Sequence, residues 1–254
     1  MHDVPGSAPS GAQAQGTGAR DVANLPQDAA RRRASSRPGP LVIAGVASMA
    51  NGVALVVHIV GGLPLAGLLA IVWGVAIVAV LVMGAVGGPG MRATIVRAAA
   101  VGFVVGVVAT LAYDVTKALL SQLDPTPFDP FETTRVFGRI LIGSDAPMAA
   151  VTVVGWAFHL ANGTTFAIAF ACLFARGGQI GRVRGVATGI GWGLFLETFQ
   201  LALYPGWLSI GFIDEFRRIS FLSHIVFGTI LGLLVPVGLR WTDRRAARSR
   251  RWTS

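Results

Sequence analysis

The sequence predicts an all-α polytopic membrane helix bundle with six transmembrane helices and both the N and C termini cytoplasmic. Three observations carry this reading. Of 254 residues, 53% are hydrophobic and only 13% charged, with a mean hydropathy of +0.65, which is too apolar and too poor in charge for a water-soluble domain of this size. Six separate apolar stretches each approach the ~20 residues that a bilayer core requires. They are apolar on nearly all sides, whereas the strands of a membrane β-barrel would alternate in polarity. Finally, the basic residues fall unequally on alternate connections.

The first segment, residues 1–39, is rich in Gly, Ala, Ser, Pro and Gln and ends in Arg31, Arg32, Arg33 and Arg37. It cannot bury enough apolar surface to offset its ordering entropy, so it reads as a disordered basic cytoplasmic tail. A cleaved signal would carry its apolar region close to the start, whereas the first apolar stretch begins only at Leu41, so the first helix is expected to stay uncleaved. The transmembrane domain is expected over 40–240, with spans at 41–60, 65–86, 95–120, 148–174, 185–204 and 219–239. A second basic cytoplasmic tail follows over 241–254.

Sixteen Lys and Arg residues lie in the two tails and the second and fourth connections; only Arg135, Arg139, Arg217 and Arg218 lie on the opposite side, and Lys117 falls inside a span. This asymmetry predicts a plasma (inner) membrane protein with both ends in the cytoplasm. The net charge of +9 and pI near 11.4 raise the question of a nucleic-acid partner. Arginines spread over tails and short loops fit membrane orientation better, so the expected partners are the lipid bilayer and anionic headgroups at the basic tails, with no nucleic acid. The single cysteine, Cys172, supports neither a disulfide framework nor a thiolate metal site.

The longest connection carries Pro125, Pro127 and Pro130, which stop the third helix. An amphipathic helix lying on the outer surface is expected over 129–142. Asp129 would be its N-cap, Pro130 its first residue and Glu132 its capping-box acid, with Phe137, Ile140 and Leu141 opposite Glu132, Arg135 and Arg139. Tyr204, Trp207 and Trp241 stand at span ends, as an aromatic belt would place them. The triplet Ala50, Asn51, Gly52 recurs as Ala161, Asn162, Gly163, a match too short to establish an inverted repeat in so Ala- and Gly-rich a chain.

Asp114, Lys117, His159, Glu197 and His224 are ionisable residues within spans, with His58 near an outer end. A charge at the bilayer centre costs roughly 2.5 to 3.5 kcal/mol even on lenient scales, so each needs a partner, water or a function. The second span has none and reads as lipid-facing scaffold. In the other spans the polar residue continues a stripe of small residues at steps of four: Gly102, Gly106, Thr110, Asp114; Gly155, His159, Gly163; Gly185, Gly189, Gly193, Glu197; and Ser220, His224, Gly228, Gly232. Small-residue stripes mark helix contacts, so the polar residues are expected to face the bundle interior. Measured from the expected outer ends, His224 lies roughly 8 Å deep, Asp114 roughly 9 Å, Glu197 roughly 11 Å and His159 roughly 16 Å. Asn162, Gln200 and Tyr204 offer further hydrogen-bonding groups nearby.

The expectation is thus a polar intramembrane site near the outer face, built from Asp114, His159, Asn162, Glu197, Gln200 and His224, that binds or conducts a small polar species or ion. One alternative is a zinc-dependent membrane hydrolase, its divalent metal held by His159, His224 and Glu197 or Asp114. A second is structural, with Asp114 paired to Lys117 and Glu197 to a histidine for helix packing alone. The sequence has no HExxH, no GxSxG and no phosphate-binding loop to favour an enzyme.

Overall fold

The computed structural model describes residues 39–126, 128–174, 180–203 and 213–251, and every regular element among them is helical. The tail expected over 1–39, save Gly39, lies outside the described residues, as do Tyr204 and Trp207. The described helices are α1 (Gly39–Ala47), α2 (Ala50–Gly61), α3 (Leu65–Val86), α4 (Gly88–Leu123), α5 (Glu132–Ile142), α6 (Met148–Leu173), α7 (Arg182–Leu203) and α8 (Ile213–Arg251). Five of them, α3, α4, α6, α7 and α8, are long and apolar enough to cross a membrane; α1 and α2, bent by 51° to each other, are long and apolar enough only together, as a broken span or a re-entrant loop.

That bend departs from the straight span expected over 41–60. The Ser48 hydroxyl donates to the Ala44 carbonyl at 2.8 Å, and the next amide, Met49, donates to Val46 in a tighter three-residue step. Back-bonding of this kind competes with the regular ladder and bends helices. α3 is apolar throughout and buries only Leu65, Ala76 and Gly84, leaving Ile71, Val75, Val78 and Leu81 exposed.

Two helices outrun their expected spans. α4 starts at Gly88, whose φ of 72° lies in the left-handed region that favours glycine, and Pro89 in the first turn needs no amide partner. It stops at Asp124, which is extended (ψ 134) ahead of Pro125 and accepts the Thr126 amide. α8 continues through the segment expected to be a tail: Ala and Arg are good helix formers, Asp243 pairs with Arg97 of α4 at 2.5 Å, and Arg245 lies 3.8 Å over the Trp241 ring. Its 39 residues make a rod of roughly 58 Å, against a hydrocarbon core of about 30 Å.

α5 begins at Glu132, three residues later than expected. Asp129 accepts the Phe131 amide in the preceding turn and pairs with Arg135 instead of capping the helix. Nor does α5 rest on a surface by its apolar face alone. Thr133, Thr134, Phe137 and Gly138 are buried, and a methyl group at Gly138 would overlap the Val151 carbonyl of α6, as one at Gly155 would overlap the Thr134 carbonyl. Glycine on each helix allows this wedge.

The packing order runs from α3 through α1 and α2 to α6, α4, α8 and α7. The main core lies where α4 meets α6 and α8, with Val101, Val105, Phe170, Leu231 and Val235 at its centre; a smaller cluster of Ala54, Leu55, Leu65, Phe137 and Phe158 sits under α5. Among the described residues, α2 and α7 have no extensive packing against each other.

Candidate functional site

Antiparallel glycine seams set the register of the polar residues. Between α7 and α8 the close approaches are Gly185 to Gly232, Gly189 to Gly228 and Gly193 to His224, backbone against backbone. One step further along the seam Glu197 faces Ser220, and the Ser220 hydroxyl donates to Glu197 Oε2 at 2.9 Å. Between α4 and α6 the approaches are Gly106 to Thr164 and Thr110 to Gly163; the next step brings Asp114 to His159. Side chains as short as aspartate can then span two helices, because the stripes below them carry no bulk.

Two carboxylate–imidazole pairs result. Asp114 Oδ1 and His159 Nε2 are 2.8 Å apart, and Glu197 Oε2 and His224 Nδ1 are 2.9 Å apart. The His224 Nδ1 also lies 3.0 Å from the Ser220 carbonyl, which can only accept. Nδ1 of His224 therefore donates, and the nitrogens turned away from the carboxylates are His224 Nε2 and His159 Nδ1. Glu197 is 1% exposed, and its second oxygen, Oε1, has no hydrogen-bond partner among the described residues.

The pairing expected between Asp114 and Lys117 does not form. Asp114 is taken by His159, while the Lys117 ammonium lies 4.4 Å from the centre of the Phe216 ring, with Tyr113 at 5.7 Å and Phe131 at 5.9 Å. The expected depth gap between Asp114 and His159 also closes. With α4 running on to Leu123, Asp114 is roughly 14 Å from its helix end and His159 roughly 16 Å from Met148.

Both imidazoles line one cavity of about 330 Å³, together with Asn162, Gln200, Lys117 and Tyr113, while the two carboxylates stand behind their histidines. Tyr113 joins the pairs: its ring packs at 5.9 Å from His159 and 4.8 Å from His224, and its hydroxyl lies 3.3 Å from Ser220 Oγ. Gln200 Nε2 lies 3.4 Å from the same hydroxyl, and the buried Asn162 Oδ1 has no partner among the described residues. The triplet repeat puts its two asparagines in unlike settings, since Asn51 Oδ1 accepts from Trp73 Nε1 of α3 at 2.7 Å, away from these pairs.

Sequence reasoning passed over Tyr113, Ser220 and Lys117 as members of this site. Ser220 was already on the α8 stripe one turn from His224, and Tyr113 neighbours Asp114; their polarity was the available signal. The metal triad is a correction. His159 and His224 turn to different carboxylates on different seams, and no group of three His, Cys, Asp or Glu side chains among the described residues could hold a metal ion. No protein-family model, no curated protein and no solved structure matches the chain.

Proposed function

We propose that this multi-pass membrane protein binds or conducts a small polar species or ion through the cavity between its helices, exchanging protons with it at two carboxylate–imidazole pairs. The observation that carries this reading is that His159 and His224, each backed by its own buried carboxylate, open onto the same cavity. Imidazole is the side chain whose charge changes near neutrality. A proton arriving at His159 Nδ1 or His224 Nε2 makes an imidazolium that the carboxylate behind it stabilises, so a charge can form in a place where an unpaired one would be expelled. Departure of the ligand returns the proton. The arginine distribution supports a plasma membrane setting with both termini in the cytoplasm and the pairs toward the outer side, the basic tails lying against anionic headgroups.

The test is proton flux across liposomes containing the purified protein, driven by an imposed pH gradient and read by an enclosed dye. Glu197→Gln and Asp114→Asn keep the side-chain shape and remove the charge behind each imidazole. Each is expected to cut the flux by on the order of a hundredfold, the usual weight of a positioned acid–base group. Flux unchanged in Glu197→Gln, with only the thermal midpoint lowered, overturns the proposal and leaves the pairs a packing role.

A further inference from the structure

We infer that the ligand of this cavity is an amphiphile, an apolar chain ending in a carboxylic acid, and that it arrives from the lipid through the gap between α2 and α7. The inference rests on the reading of the cavity as a proton-exchanging binding site and names its ligand.

The polar end of the cavity calls for an anion. Each buried carboxylate there is engaged by a histidine, whereas Lys117, 3% exposed, has no carboxylate oxygen among the described residues within 4.0 Å. Its ammonium faces the rings of Phe216, Tyr113 and Phe131, which attract a cation but carry no negative charge. A ligand proton that leaves both pairs in the imidazolium–carboxylate state leaves one positive charge over, that of Lys117. A single carboxylate head cancels it, and a cationic ligand would add to it.

The rest of the cavity calls for hydrocarbon. Its lining is mostly apolar and includes Val53, Val56, Phe166, Phe195, Phe199 and Phe227. A purely polar solute would leave these faces uncovered, and a volume of about 330 Å³ accommodates a small molecule with a chain as well as a head.

The route follows from the packing. α2 and α7 both supply walls of the cavity, yet among the described residues they have no extensive packing against each other. The side chains that edge the gap are apolar and exposed: Val53 at 48% and Val57 at 37% on α2, Phe195 at 49% and Phe199 at 44% on α7. Such an edge suits lipid chains and not a water-filled mouth.

The chemistry then joins the two halves of the site. A carboxylic acid enters hydrocarbon in its neutral form. At the polar end its O–H bond breaks as an N–H bond forms at His159 Nδ1 or His224 Nε2, giving a carboxylate beside Lys117 and an imidazolium beside Asp114 or Glu197. Charge is conserved, and every charge formed has a counter-charge within the site.

The experiment uses the full chain in nanodiscs of zwitterionic lipid, with decanoic acid, decan-1-ol and acetate as probes and empty nanodiscs as the reference for partitioning. Decanoic acid is expected to bind saturably above the empty discs, decan-1-ol more weakly and acetate not at all. Lys117→Met should weaken decanoic acid by roughly tenfold to a hundredfold, the weight of a charged hydrogen bond, and Lys117→Arg should restore most of it. Val53→Trp, at a position 48% exposed, should close the gap and slow binding. Acetate binding as tightly as decanoic acid overturns the amphiphile, and so does full affinity in a folded Lys117→Met. Unaltered binding kinetics in Val53→Trp overturns the lateral route. If decanoic acid fails to bind while proton flux still requires Glu197, the ligand class is wrong and the proton-exchange reading stands.

Discussion

The seam between α7 and α8 and the corner formed by α1, α2 and α3 are built on opposite plans. Along the seam Gly185, Gly189 and Gly193 press against Gly232, Gly228 and the His224 backbone, so the two helices have one register and little freedom to slide. At the corner, Gly67 and Gly74 of α3 have nothing within reach of an added methyl, most of the α3 surface is exposed, and the polar link to α2 is the hydrogen bond from Trp73 to Asn51. Backbone contact holds Ser220 and Glu197 at hydrogen-bonding distance; side-chain contact at the corner tolerates a bend at Ser48 and a gap beside α2. A polar site needs the first plan around its charges, and a route in from lipid needs the second beside it.

The largest way to break this comparison is to add bulk on the seam. Gly189→Leu drives a side chain into the Gly228 carbonyl with no flexible atom to yield, and its expected cost exceeds about 4 kcal/mol, so no monodisperse folded protein should survive extraction and size-exclusion chromatography. Normal yield and elution would show the helices free to separate, and the contrast with the corner would vanish. A smaller effect tests the charge that the seam holds. His224→Ala leaves Glu197 buried without its imidazole and should cost about 3–5 kcal/mol in thermal or denaturant unfolding, with part of the loss recovered when Glu197→Gln is added. A double variant no better than His224→Ala alone would mean that the imidazole contributes packing, not charge. The smallest effect belongs to the corner: Val78→Ala, at a position 59% exposed, should change stability by less than about 0.5 kcal/mol. A large loss there would mean that α3 packs against something more than lipid.

Much of the fold was legible because lipid imposes a coarse rule. An apolar run of sufficient length becomes a helix, and the bounds of α3, Leu65–Val86, coincide with those read from hydropathy. Hydropathy says nothing of where a helix stops once it leaves hydrocarbon, which is why α4 and α8 outran their expected spans: Pro89 permits an early start, and the Arg- and Ala-rich run after Leu239 is itself helix-forming. The bend at Ser48 was hidden because it arises from one hydroxyl competing for one carbonyl. At the site, the stripes gave the direction in which Asp114, His159, Glu197 and His224 point, since periodicity carries that information. Partner choice was not legible. Asp114 had Lys117 three residues away on its own helix and His159 forty-five residues away on another, and only the Thr110–Gly163 approach decides between them.

Pro236 lies within α8, four residues beyond Gly232, and has no amide hydrogen to offer that residue's carbonyl. The long rod is therefore softened at one level, between the seam that carries His224 and the arginine-bearing arm that Asp243 clasps to Arg97. A tilt of that arm would be taken up at the proline, and the imidazole would keep its distance from Glu197.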